Sequence, residues 1–275
     1  MTYREALETG TKELEKEEIT DAKLDAWYLL QMACDIDRNY YYLHENEEMT
    51  EEQFGTFQIA LRKRAEHVPL QYIIGEQEFM GLKFKVNSNV LIPRQDTETL
   101  VEEALKSIKP GMKVLDLCTG SGCIIISIAK NVPDIICYGS DISKQALLVA
   151  KENARRNDVE VELERSDLFD HITGKFDVIV SNPPYIATAE IATLMPEVRD
   201  FEPVEALDGK EDGLYFYRII IEKSVDYLNP DGQLCLEIGY DQGKAVSDLM
   251  KQRGFSDVVV IKDLAGLDRV VKGRK

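Results

Sequence analysis

Apolar residues along the chain keep two different rhythms, and the change falls near residue 76. Upstream the spacing is helical throughout. "TYRE" and "TEEQ" are capping boxes, Thr2 with Glu5 and Thr50 with Gln53, which predict helices over about 3–18 and 51–66. Between them "DAKLDAWYLLQMACDI" puts Leu24, Trp27, Tyr28, Leu30 and Met32 on one broad apolar face. "DRNYYYLHENEE" reads as a short helix or turn whose three tyrosines are assigned to the core.

Downstream, "EFMGLKFKV" alternates as a hairpin with Gly81 near its turn. Seven β-branched runs then follow, most of them separated by helical segments: "KVLDL", "IICYGSD", "VEVELERSD", "FDVIVSN", "GQLCLEIG", "DVVVIKD" and "DRVVKGR". Such alternation predicts an α/β fold, a Rossmann-like doubly wound sheet that is mostly parallel. Only Leu264 to Leu267 separates the last two runs, so the final strand is expected to pair antiparallel at the edge. The expected organisation is a helical domain over 1–75, a β-hairpin linker over 76–90 and a sheet domain over 91–275. The connection from Ala187 to Asp212 exceeds the ~12–15 residues usual for a structureless loop, so it is read as functional, or as packed with a short helix before Pro196.

Composition narrows the class. The 275 residues are 44% hydrophobic and 30% charged, as in ordinary soluble proteins. No apolar run approaches the ~20 residues that span a bilayer. Five scattered cysteines without a CxxC imply reduced thiols in a cytoplasm, and three histidines make a His-rich metal centre improbable. Net charge is −17; the first 80 residues hold 8 basic and 18 acidic side chains, net −10. Nucleic-acid binders draw most of their affinity from phosphate neutralisation, so this balance disfavours them.

In a doubly wound sheet, ligands sit outside the carboxyl ends of the strands. The first strand leads into "DLCTGSGC", where Gly120 and Gly122 suit a tight strand-to-helix turn with close backbone approach to a ligand. Ile125 occupies the position where a dinucleotide fingerprint has Gly or Ala, which counts against NAD or FAD. Asp141, in "GSDIS", lies about 20 residues beyond Gly120, the usual place of a carboxylate for adenosine ribose hydroxyls; a helix N-cap is the competing role. "RSDLFD" puts Asp167 where an adenine amino group is read and Leu168 where the ring packs, with a turn aspartate and a core leucine as competitors.

The fourth strand runs into Asn182-Pro183-Pro184-Tyr185. Asn182 and Pro183 each precede a proline and are driven to extended geometry. The Pro183 carbonyl and the Asn182 side-chain carbonyl are therefore held in place. Two fixed acceptors match a planar NH2 group with its two donors, and Tyr185 offers a flat face beside it. Such a site grips an amide or exocyclic amine and aims its nitrogen at an electrophile. Next to an adenosine site, that electrophile is the methyl of S-adenosyl-L-methionine. An amide nitrogen is a weak nucleophile because its lone pair is delocalised. Positioning and preorganised acceptors meet that difficulty, and the proton can leave after transfer, so no general base is required.

"NPPY" together with "DLCTGSGC" and "GSD" resembles the class I methyltransferases that modify planar NH2 nitrogens. Four further stretches, "LIPRQDTETLVE", "FEPVEALDGKEDGLYFYR", "LEIGYDQG" and "DLAGLDRVVKGR", narrow the likeness to the release-factor glutamine methyltransferases, and the resemblance covers essentially the whole chain. Gln95 stands where that family commonly has a second proline, and Lys210 where a second glycine is usual.

The resemblance implies a cytoplasmic, S-adenosyl-L-methionine-dependent enzyme, monomeric and releasing S-adenosyl-L-homocysteine. Its substrate would be the Gly-Gly-Gln glutamine of class 1 peptide chain release factors, docked by the helical domain, with no nucleic acid or membrane partner and no metal. It implies that Cys118, Thr119, Gly120, Ser121, Gly122 and Asp141 hold the cofactor, with Asp167 and Leu168 at adenine, the 93–98 segment with Thr97 over its methionine end, and Asn182 beside it. Asn182, Pro183, Pro184 and Tyr185 would hold the substrate, with Asn182, Pro183 and Tyr185 the catalytic set. Glu98 and Glu102 are read as solvated helix residues. A ribosomal-protein glutamine methyltransferase is the nearest alternative. An adenine-N6 DNA enzyme, a guanine-N2 ribosomal RNA enzyme and a non-catalytic binding module lie further off.

Overall fold

A computed structural model describes residues 1–275. They divide into two units, one of residues 1–75 with 195–201 and the other of 76–194 with 202–275. The first is all helical: α1 (Tyr3–Lys16), α2 (Ala22–Cys34), α3 (Arg38–His44), α4 (Glu51–Ala65) and α5 (Leu70–Ile74). Both capping boxes form, Thr2 with Glu5 and Thr50 with Gln53. Leu14, Trp27, Leu29, Leu30, Phe57 and Leu61 make the core.

The apolar face expected on α2 is partly misplaced. Leu24 and Tyr28 are exposed, while Ala22, Asp25, Ala26 and Leu29 face inward. The helix carries more apolar residues than its inner face accommodates, so small residues allow close approach and the surplus lies outside. The tyrosine run divides in the same way. Tyr41 packs edge-on to Trp27, with centroids 5.3 Å apart, whereas Tyr40 and Tyr42 are exposed, because a two-turn helix has room for one inward position. Buried Asp25 is met by Arg64, whose Nε donates to Oδ2 at 2.6 Å; another guanidinium N–H reaches Glu197 Oε1 at 2.9 Å and fastens the short helical segment 196–201 within this unit.

The second unit opens with the hairpin β1 (Glu76–Phe79) and β2 (Leu82–Lys85). The hairpin is fixed to the unit by Asn153, which accepts the Lys85 N–H and donates to the Lys85 carbonyl. A 3-10 turn at Gln95–Thr97 leads into α6 (Glu98–Leu105). There follow β3 (Lys113–Leu117), α7 (Cys123–Asn131), β4 (Ile136–Asp141), α8 (Lys144–Arg156), β5 (Glu162–Arg165) and β6 (Phe176–Ser181). The long connection after β6 carries α9 (Thr188–Ile191), α10 (Pro196–Phe201) and a 3-10 turn at Val204–Ala206. The chain ends with α11 (Tyr215–Tyr227), β7 (Leu228–Glu237), α12 (Gly243–Gln252), β8 (Ser256–Lys262) and β9 (Asp268–Arg274).

The seven strands of the main sheet run β5-β4-β3-β6-β7-β9-β8, parallel except for β9. The edge pair is antiparallel, as expected, but the order within it is the reverse of the expectation. The final strand β9 inserts between β7 and β8, and β8 takes the edge. Burial explains the order: Val270 and Val271 of β9 are sealed, while Val259 and Val260 of β8 face solvent.

Alternation along β3 sends Val114 to one apolar layer, with Ile124, Ile125 and Leu100, and Leu115 and Leu117 to the other, with Ile179, Tyr217 and Leu236. Strand order reverses between β3 and β6, the switch point where doubly wound sheets bind ligands. Register levels the strand ends there, since Leu117 pairs with Ser140 on one side and Ser181 on the other, and Ser181 with Leu236. The residues just beyond these pairs therefore share one row: Cys118, Asp141, Asn182 and Glu237.

Candidate active site

At one end of the row, β3 breaks into a turn with positive φ at Cys118, Gly120 and Gly122. Gly122 is required by packing as well as by its φ of +80°, because a Cβ there would lie 2.8 Å from Ile126 Cδ1 and 3.2 Å from Ala150 Cβ. Absence of that Cβ lets α7 start hard against α8. The Thr119 hydroxyl donates to Asp116 Oδ2 at 2.6 Å, and the other oxygen of this fully buried carboxyl has no partner. Burial pushes Asp116 up to about 7, opposed by the Thr119 hydrogen bond and reinforced by the charge of Asp141. Ser121 is buried, and its carbonyl accepts from the Asn153 side chain.

Asp141 reaches across from β4. Its Oδ2 accepts the Gly120 N–H and its Oδ1 the Ser143 N–H, both at 2.9 Å. The N-cap of α8 is Ser143, whose hydroxyl accepts from Ala146. Burial raises the Asp141 carboxyl against these backbone hydrogen bonds. An ionised carboxylate has about four acceptor positions, so two hydrogen bonds leave room for two more. Asp167 is exposed and Leu168 buried, the latter in left-handed geometry at φ +47°.

Beyond β6, the Ser181 hydroxyl donates to the Leu117 carbonyl at 2.7 Å, locking the two strand ends together. Pro183 and Pro184 are buried, Asn182 and Tyr185 half-buried. The Asn182 Nδ2 donates to the buried Thr97 hydroxyl at 3.3 Å, which directs the amide's N–H side toward Thr97.

The Tyr185 backbone is clamped by two of the stretches that carry the family resemblance. Gln242 donates to its carbonyl at 2.9 Å, and Gly213 packs so closely that a Cβ would stand 2.3 Å from the same oxygen. Residues 207–209 run alongside, with the Ile186 N–H donating to the Leu207 carbonyl and the Gly209 N–H to the Ile186 carbonyl. Burial raises the Tyr185 phenol and keeps it neutral.

Sequence reasoning brought out the two centres, Gly120 with Asp141 and Asn182 with Thr97, and the chain brings each pair together. It missed the groups that hold them. Glu237, at the end of β7, is 1% exposed, and the side chains of Thr97 and Asn182 beside it favour the charged form of its carboxyl group. Arg269 bridges Asp263 at 3.1 Å and Asp96 at 3.2 Å, anchoring the turn that presents Thr97. Glu202 accepts the Ile92 N–H at 3.2 Å and pairs with Arg94 on the same segment. Glu98 is not simply solvated: its Oε1 caps the hairpin turn by accepting the Met80 N–H at 2.6 Å. The one signal for Glu237 was an acidic residue closing the otherwise apolar run "LCLEIG".

Residues 5–75 match the PrmC N-terminal domain family, and residues 94–197 the methyltransferase small domain family. The chain is 42% identical over 274 residues to the release factor glutamine methyltransferase of Geobacter sulfurreducens, covering 99% of this chain and 96% of that one. It is 41% identical over 284 residues to the protein of the same name from Clostridium botulinum, covering all of both. A crystal structure of a methyltransferase from Pyrococcus furiosus superposes with a TM-score of 0.54 at 20% identity, over 71% of this chain and 89% of that one, which is a likeness of fold.

Proposed function

The chain belongs to the release factor glutamine methyltransferase family, and from that premise we propose its reaction in detail: transfer of the methyl group of S-adenosyl-L-methionine to the side-chain amide nitrogen of the Gly-Gly-Gln glutamine in class 1 release factors. The observation that carries this reading is the Asn182 amide. Its N–H side is engaged by Thr97, so its oxygen is free to accept, next to a proline-frozen backbone.

The strand-end residues fit the cofactor. A Cβ built at Gly120 would meet nothing within 4 Å, so that side of the turn is open, and Asp141 keeps acceptor capacity for two ribose hydroxyls. Residues 118–122 and Asp141 hold the nucleoside side, with Asp167 and Leu168 at the base and Thr97 and Asn182 toward the methionine end. When bound, the cofactor supplies an electrophilic sulfonium methyl. The protein's own groups do the rest. Asn182 Oδ1 and the Pro183 carbonyl accept the two N–H bonds of the glutamine amide, and Pro184 stiffens the turn. Tyr185, uncharged, lies flat against the amide. Those acceptors gain strength as positive charge develops on the nitrogen, which lowers the barrier through electrostatic preorganisation. The proton then leaves the acidic product to solvent.

Residues 1–75, rich in carboxylates, suit docking of a basic protein surface. A release factor, which approaches ribosomal RNA, has reason to carry such a surface. The chain works in the cytoplasm as a monomer, without nucleic acid, and no helix is long and apolar enough to cross a membrane. The test is a panel of acceptors incubated with the enzyme and methyl-labelled cofactor: a release factor, ribosomal proteins, duplex DNA and ribosomal RNA. Label is expected on the release factor alone. Label on nucleic acid would overturn the reading, and label on a ribosomal protein alone would move it to that substrate.

A further inference from the structure

Resting on the reaction proposed above, we infer that Glu237 is the positioning residue that aims Asn182: its buried carboxylate, acting with the Thr97 hydroxyl, holds the N–H side of the amide and so turns the amide oxygen toward the substrate nitrogen.

The two ends of an asparagine amide have nearly the same shape but opposite hydrogen-bonding character. Flipped, Asn182 would present an NH2 to the substrate's NH2 and repel it. Something must choose the orientation, and the Thr97 hydroxyl alone cannot, because it both donates and accepts. A carboxylate only accepts. The register puts one beside Asn182, since Ser181 pairs with Leu236 and the next residues are Asn182 and Glu237. Glu237 is fully enclosed, and the Thr97 and Asn182 side chains next to it favour its ionised form. With Asn182 Nδ2 donating to Thr97 Oγ1, the Thr97 proton is directed to the carboxylate, and the whole chain of donors points one way.

Arg269 makes its ion pairs with Asp263 and Asp96, and only its charge, without a direct pair, acts on Glu237. Its Oε2 is left without a partner, an expense that a purely structural strand end has no need to bear. The backbone of Glu237 is secured separately, its carbonyl accepting from the Tyr217 hydroxyl at 2.8 Å, so side chain and strand can be perturbed independently.

Protonation would give the carboxyl an O–H donor and remove its ability to choose. Burial pushes Glu237 up to about 7, against the Thr97 hydrogen bond, the Arg269 charge on β9 and the Asn182 hydrogen bond, with Asp96 before α6 adding to the rise. Tyr185 after β6, Tyr217 on α11 and Cys123 at the start of α7 also face it. The competent form is the carboxylate, so methyl transfer should fall as pH drops through about 7.

The test is single-turnover methyl transfer to a release factor, followed against pH with saturating cofactor. Glu237→Gln offers a donor and an acceptor and cannot choose. It should slow transfer at least ~10-fold at pH 8, leave cofactor affinity within several-fold and lose the acid limb. Asn182→Ala, tested in parallel, should also lose that limb from its residual rate, because Glu237 acts through Asn182; this arm holds even where the Gln variant does not fold. A wild-type rate with an unchanged limb in Glu237→Gln, or an acid limb persisting in Asn182→Ala, overturns the inference. Those results would leave the reaction itself standing, whereas a wild-type enzyme that fails to methylate the glutamine removes both.

Discussion

The Asp141 carboxylate accepts the Gly120 backbone N–H at 2.9 Å, tying the end of β4 to the turn that follows β3. One oxygen thus shapes the glycine turn and the other accepts the Ser143 N–H, and on the proposed reading the acceptor positions left over take the ribose hydroxyls. Replacing Asp141 with Ala removes both effects. Charged hydrogen bonds contribute about 1.5–3 kcal/mol each, so calorimetry should record cofactor affinity weakened roughly tenfold or more.

Asn182→Ala should separate binding from chemistry. On the proposed reading its oxygen acts on the substrate nitrogen, so cofactor affinity should stay within several-fold while turnover falls at least ~10²-fold. Steady-state kinetics at saturating cofactor distinguishes this from a general loss of binding.

The Lys210 and Gly213 positions make opposite stability predictions. Lys210 stands at φ +70°, a geometry that costs an L-residue roughly 1–2 kcal/mol, which explains the family's usual glycine there. Lys210→Gly should raise stability to denaturant by about 1 kcal/mol, since the ion pair with Asp208 that it gives up is exposed and of little worth. Gly213→Ala should lower both stability and turnover, because its Cβ would strike the Tyr185 carbonyl.

Arg64 is the structural pivot of the helical unit. Asp25, buried beside it, has its carboxyl raised by burial against the Arg64 hydrogen bond. Arg64→Ala leaves that carboxyl buried and unpaired, a class of change that costs about 3–5 kcal/mol. Joint replacement by Asp25→Asn and Arg64→Met should recover much of the loss in urea denaturation.

Acid stability should respond to Glu103. Burial pushes its carboxyl up, but Lys106 and Lys272 outweigh that and hold it below the ordinary 4.5. A depressed folded value stabilises the fold above the unfolded value and loses that contribution as pH falls through the folded one. Glu103→Gln should therefore cost stability at neutral pH and flatten the acid decline below about pH 4.5.

Much of the site's layout was legible because a doubly wound sheet lines up its strand ends, so "DLCTGSGC", "GSD" and "NPPY" had to converge whatever the details. The supporting residues were hidden by distance along the chain. Gln242 reaches Tyr185 across 57 positions and Glu202 reaches Arg94 across 108, and no local pattern encodes such pairs. Leu24, Tyr28 and Tyr42 were misread because periodicity locates an apolar stripe without saying how much of it the neighbouring helices cover. The order of the last two strands failed similarly, since both read as β-branched runs and only packing sends Val270 and Val271 inward.

The central claim is that the acceptor is an amide nitrogen held by Asn182 and its neighbours. Its most direct test is tandem mass spectrometry of a release factor after incubation with the enzyme and S-adenosyl-L-methionine. The account predicts a single added methyl on the side-chain nitrogen of the Gly-Gly-Gln glutamine, absent with Asn182→Ala over the same time. A methyl at any other residue, or an unmodified glutamine, would contradict it.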